Sequence, residues 1–175
     1  MNKNIAFIGF MGSGKSTISK SLSIKLNMTM VDTDEYIVEK NNQSISDMFD
    51  SHGEEYFRDK ETEAIKEISK LNGIIISCGG GAVLRDENVE YIKENGAIVL
   101  LQATPETIYE RVRYSTDRPI LNGNMNVDFI KGLMDKRKDR YESVADIKIA
   151  TDGKTVDDIV NEIVEKIVEK YSIVL

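Results

Sequence analysis

Cysteine and histidine are almost missing from this 175-residue chain, which has Cys78 and His52 alone of their kinds. A single cysteine excludes an internal disulfide, and the pair leaves no ligand set for a structural zinc. Proline is scarce as well: Pro105 and Pro119 are the only two, and no Ser/Gly-rich or low-complexity run marks a linker. No stretch of about 18 apolar residues is present to cross a membrane. The opening MNKNIAFIGF carries one lysine before an apolar run too short for a signal peptide. Basic residues are outnumbered 23 to 30, giving a net charge of −7, which opposes a general nucleic-acid or anionic-membrane binder. The expectation is one cytoplasmic domain over residues 1–175, long enough to bury roughly 70% of its unfolded surface.

What is present alternates. Apolar β-branched runs at 5–9 (IAFIG), 29–32 (TMVD), 73–77 (GIIIS), 97–101 (AIVLL) and 147–150 (IKIA) suit strands buried on both faces. Helical spacing fills the intervals, most clearly over 53–71 and 155–171, so the pattern predicts an α/β protein with a mostly parallel sheet. The stripe Ile159, Val160, Ile163, Val164, Ile167 in the last helix fits either the cover of one sheet face or a dimer seam. His52 is expected in a loop before the earlier helix.

The segment GFMGSGKS, Gly9 to Ser16, matches G-x-x-x-x-G-K-[ST] in full, behind a strand and ahead of a helix. Gly12, Ser13 and Gly14 supply backbone N–H groups to a phosphate nest, and Thr17 follows in the first turn of the helix. Lys15 is placed to reach the β- and γ-phosphates and the Ser16 hydroxyl to ligate Mg²⁺. The base-reading pattern N-K-x-D of G proteins is absent, and the chain is too short to append helicase or motor elements. A small-acceptor kinase is the expectation.

Three further features describe an acceptor side. Asp32 and Asp34 in VDTDEY stand two apart, which in an extended strand end aims both carboxylates into one crevice. One would hold the metal's water shell while the other takes a proton from an attacking hydroxyl; a pair of loop or helix-capping aspartates is the alternative. Arg58 and Glu61 in GEEYFRDKE share a helix face, as a surface ion pair or as an arginine presented to a carboxylate. Gly79, Gly80 and Gly81 follow a β-branched run, where a turn with φ > 0 would need only one or two glycines. Residues 111–140 also reverse the charge of the chain, with Arg111, Arg113, Arg118, Lys131, Lys136, Arg137, Lys138 and Arg140 against four acidic residues. That is either a solvated helix face or a cationic cover over polyphosphate.

Together, GFMGSGKST, DTD, EEYFR, GGGAV, DRPIL and KRKDRYESVAD resemble shikimate kinases in order and spacing over about residues 4–150. The resemblance implies a P-loop kinase fold, α/β/α in three layers, with a five-stranded parallel sheet of order 2-3-1-4-5. It implies transfer of the ATP γ-phosphoryl group to the 3-hydroxyl of shikimate, with Mg²⁺, by a monomer. It gives Asp34 the reacting diol and the base's role, Asp32 the metal side, and Arg58 the substrate carboxylate with Glu61 beside it. It lines the substrate pocket with Gly79–Gly81, whose backbone N–H groups approach the ligand, and adds Arg137 as the second carboxylate arginine. Arg118 falls on a lid at about 111–125, and Arg111 stacks on adenine near the TDGKT loop, 151–155. The substrate region spans about 32–61. Where family members often carry Pro-Leu, this chain has Asp139 and Arg140, so Arg140 competes with Arg137, as Arg113 does with Arg111.

Overall fold

The computed structural model describes residues 3–113 and 126–171. Five strands, β1 (Asn4–Ile8), β2 (Thr29–Asp32), β3 (Ile74–Ser77), β4 (Gly96–Gln102) and β5 (Ile147–Ala150), form one parallel sheet in the order β2-β3-β1-β4-β5. Each lies within one residue of the apolar run that predicts it. The connecting helices are α1 (Lys15–Leu26), α2 (Thr33–Asn41), α3 (Ile45–Ile68), α4 (Asp86–Asn95), α5 (Pro105–Val112) and α6 (Val127–Val144), with α7 (Val156–Tyr171) last.

Alternation along the strands divides the core in two. Ile5, Phe7, Ile75, Val99, Leu101 and Ile149 face α1 and α7, whereas Ala6, Ile8, Ile76, Ile98 and Leu100 face the other helices. Burial of each large aliphatic side chain contributes about 1.5–3 kcal/mol, which makes a strand buried on both faces the natural state of a β-branched run. The α7 stripe is consumed here, because Ile159, Val160, Ile163 and Ile167 are buried against the sheet. It covers one face of the sheet.

The helix expected over 53–71 starts earlier, at Ile45, where the Ser44 hydroxyl accepts from the Asp47 N–H. Gly53 breaks it into two arms with φ 83°, ψ 176°. His52 therefore lies in α3 instead of a loop, its ring 4.5 Å from that of Tyr56. Among the described residues no helix is long and apolar enough to cross a membrane.

All strands being parallel, their C-terminal ends share one edge, with the loop after β1, the start of α2 after β2 and the triple glycine after β3 side by side. Ligands bind sheets of this type along that edge, where the chain's progress along the sheet changes direction.

Candidate active site

The loop between β1 and α1 ends at Gly14, whose φ of 99° L side chains rarely adopt. Helix α1 begins at once with Lys15 and has no side-chain cap, so its first N–H groups are left for an anion. Lys15 Nζ folds back over the loop, donating to the carbonyls of Gly9 (2.9 Å) and Phe10 (3.1 Å). Ser16 and Thr17 are exposed on the first turn. Arg111 reaches from α5 to the carbonyls of Gly12 and Ser13, both at 3.3 Å, and to Thr151 through its hydroxyl (3.1 Å) and carbonyl (3.3 Å). It thereby ties the phosphate loop to the loop after β5. Arg113 instead pairs with Glu110 on its own helix. Of the lid expected over 111–125 only 111–113 are described; Arg118 lies outside the described residues.

Asp32 and Asp34 do not share an extended strand end. The strand stops at Asp32, which becomes the N-cap of α2, its Oδ1 accepting from the N–H groups of Asp34 (3.0 Å) and Glu35 (3.4 Å). Its Oδ2 is turned towards Ser16 Oγ, 3.4 Å away. Asp34 stands on the first helical turn, and helical geometry, not the two-residue repeat of a strand, directs it to the β3 side. Asp32 is thus both a cap and a neighbour of the phosphate-loop serine.

Arg58 and Glu61 form no surface pair. Glu61 is 1% exposed and Arg58 13%, joined Nη1 to Oε2 at 2.6 Å, while Glu54 takes the outer side of Arg58 at 3.2 Å. Burial pushes the Glu61 carboxyl above its ordinary pKa against the lowering pull of Arg58, and the nearby Asp34 adds to the rise. Its second oxygen, Oε1, is buried, has no hydrogen-bond partner among the described residues and faces Gly79.

The triple glycine is where these groups meet, and none of the three has positive φ. A Cβ on Gly79 would lie 2.5 Å from Asp34 Oδ1 and 3.2 Å from Glu61 Oε1; one on Gly81 would strike the Arg58 guanidinium, 2.6 Å from Cζ. On Gly80 it would meet nothing closer than Arg137 Nη1 at 3.6 Å. The glycines at 79 and 81 therefore make room for the acidic and basic side chains themselves. The Gly80 carbonyl accepts from Arg137 Nη1 (3.3 Å) and from the Tyr141 hydroxyl (2.5 Å), both on α6. Arg140 points elsewhere, to the Val83 carbonyl (2.5 Å) and Asp86 (2.7 Å). Arg137, not Arg140, is the α6 arginine beside the glycines.

A phosphate loop, a carboxylate, and two arginines from separate helices around a bare backbone describe a kinase for a small acidic acceptor. The family model for shikimate kinase matches residues 11–168 of the chain. This chain belongs to the shikimate kinase family. It is 42% identical to the shikimate kinase of Sulfurihydrogenibium sp., over 94% of this chain and 98% of that one. It is 42% identical to that of Thermodesulfovibrio yellowstonii, over 97% and 95%. Among solved structures, the Acinetobacter baumannii shikimate kinase in complex with shikimate superposes with a TM-score of 0.90 at 28% identity, covering 97% of this chain and 95% of that one. The Aquifex aeolicus enzyme gives 0.82 at 36%, over 96% and 98%. A Sinorhizobium meliloti gluconokinase gives 0.64 at 15% over 98% and 96%, a likeness of fold alone.

Three residues of this shikimate kinase site escape the sequence reading. Thr33, fully buried, accepts the Gly79 N–H on its hydroxyl at 2.9 Å, so of the three glycine N–H groups expected at the ligand that of Gly79 is already bonded within the protein. Asn88, also buried, donates Nδ2 to the Ala82 carbonyl at 2.8 Å. The sequence gives Tyr141 no role, although its place four residues after Arg137 puts both on one helix face. Cys78 is buried, with its backbone N–H on the Phe7 carbonyl, and burial pushes its thiol far up, leaving it an inert packing residue.

Proposed function

We propose that this chain transfers the γ-phosphoryl group of ATP to the 3-hydroxyl of shikimate, releasing ADP and shikimate 3-phosphate, with Asp34 as the base. The observation that carries it is the meeting of Asp34, Glu61 and Arg58 around Gly79 and Gly81, where the backbone carries no side chain. The acceptor oxygen bonds to the γ-phosphorus as the bond from that phosphorus to the β–γ bridging oxygen breaks. The hydroxyl proton passes to the Asp34 carboxylate. Arg58 and Arg137 hold the acceptor's carboxylate, Glu61 anchors Arg58, and the N–H groups of Gly80 and Gly81 complete the pocket.

On the nucleotide side, Gly12, Ser13, Gly14 and Thr17 cradle the phosphates, and Lys15 exchanges loop carbonyls for phosphate oxygens. Arg111 stands beside the adenine, and Arg118 belongs to a lid that closes over the γ-phosphate. The residues present fit a Mg²⁺ ion: Ser16 Oγ and Asp32 Oδ2 face each other, and no cage of three or more acidic, His or Cys side chains exists among the described residues. Mg²⁺ prefers one or two protein ligands with phosphate and water completing its shell. When bound it neutralises phosphate charge. The reading puts a monomer of one domain in the cytoplasm.

ADP release with Mg-ATP and shikimate, gluconate, nucleoside monophosphates or water alone tests the reading. Turnover is expected with shikimate only. Turnover with another acceptor, or with none, overturns the acceptor assignment.

A further inference from the structure

We propose that Tyr141 is a positioning residue for acceptor binding: from α6 it holds the Gly80 carbonyl, which aims the N–H of Gly81, in the same peptide group, at the bound acceptor beside the N–H of Gly80. The inference rests on the shikimate kinase reading of the pocket. Tyr141 is 5% exposed, and its hydroxyl makes the shorter of the two hydrogen bonds to Gly80 O. A peptide group is planar and trans, so the Gly80 carbonyl and the Gly81 N–H point in opposite directions. Fixing one aims the other.

The flanking backbone is held in the same sense. The Gly79 N–H is taken by Thr33, the Gly79 carbonyl by the Ala82 N–H at 3.1 Å, the Ala82 carbonyl by Asn88 and the Val83 carbonyl by Arg140. Among the described residues none accepts from the N–H of Gly80 or of Gly81. Two successive free N–H groups on a loop whose carbonyls are already engaged make a receptor for a carboxylate or hydroxyl oxygen. Burial pushes the Tyr141 phenol above its ordinary pKa despite Arg137, so it remains a neutral donor at physiological pH.

Tyr141→Phe keeps the buried ring and removes only the hydroxyl. The expected result is a rise of about tenfold in KM and Kd for shikimate, equivalent to about 1.4 kcal/mol. The KM for ATP stays within about twofold. A residue serving packing alone would lower the thermal midpoint and leave shikimate affinity unchanged, and that result overturns the proposal, as does an equal rise in both KM values. Should the variant fail to fold, ¹⁵N spectra of the unaltered protein decide. Saturating shikimate should shift the Gly80 and Gly81 amide resonances more than that of Gly79, whose N–H is already bonded; unmoved Gly80 and Gly81 resonances overturn the proposal. Wild-type turnover run alongside separates the failures. No shikimate-dependent ADP release from the wild type defeats the acceptor reading beneath; normal wild-type turnover with unchanged affinity in Tyr141→Phe defeats the tyrosine's role alone.

Discussion

A side chain at position 81 would begin where the Arg58 guanidinium already lies, its Cβ 2.6 Å from Cζ, whereas one at position 80 would sit in ordinary contact with α6. The two neighbouring glycines therefore carry different burdens. Gly81→Ala displaces an arginine that is otherwise paired with a carboxylate only 1% exposed. Disturbing a buried charged contact of this kind costs about 2 kcal/mol or more, so shikimate KM should rise at least about thirtyfold. Gly80→Ala should stay within about threefold, since nothing there needs to move. Steady-state kinetics on the two variants, with ATP saturating, provides the comparison. Equal losses would mean that the acceptor ring, and not Arg58, occupies the space the glycines leave.

At the level of elements, the centre of the frame is legible because burial on both faces of β3, β1 and β4 leaves a clear trace. The strands β2 and β5, expected to be buried on both faces, are edge strands, with no fully buried residue in β2 and buried residues alternating with exposed ones in β5. Five apolar runs become five strands, and the stripe in α7 covers the face its period indicates. Legibility fails where local geometry overrides period. The two-residue spacing of Asp32 and Asp34 suggests a strand end, yet Asp32 caps a helix and so ends the strand period before Asp34. Position 53 looks like the start of a helix because glycine is a poor helix former, yet it is a kink inside a longer one. Tyr141 is hard to single out as a site residue because its ring packs in the core while its hydroxyl bonds the glycine loop. The division of the sheet into two faces also makes a prediction. Ile163 is fully buried in the α1/α7 layer, whereas Phe57, Ala82 and Tyr141, neighbours of the acceptor groups, pack on the opposite face. Ile163→Ala should lower unfolding free energy by about 2–5 kcal/mol while KM for shikimate is unchanged. Urea titration paired with kinetics measures both, and a coupled loss of affinity would show that the faces are not independent.

For the whole molecule, the acceptor site works against stability in a way that pH exposes. Asp152 and Glu162 have carboxyls held below their ordinary pKa. For Asp152 burial alone would raise the pKa, and the hydrogen bonds from Thr104 and Thr107 together outweigh it; for Glu162 the cause is Lys154 and Lys166. Their contributions are present above the unfolded-state pKa and fade as pH falls through the folded one. Glu61 has the opposite sign. Its pKa is raised by burial, so its contribution is complete below the ordinary glutamate value, about 4.3, and is lost as pH rises through the elevated folded value. As pH rises towards neutral the fold thus loses stability at Glu61, and the return is an anchored Arg58. Glu61→Gln removes the titration and keeps the shape. The unfolding free energy of the variant minus that of the wild type should therefore move in the variant's favour from about pH 4 to pH 7, while the variant binds shikimate more weakly throughout. Urea unfolding across that range, with shikimate titrations at each end, measures the trade. A difference moving the other way would mean that attraction to Arg58 outweighs burial, and that the ion pair stabilises the fold as well as the site.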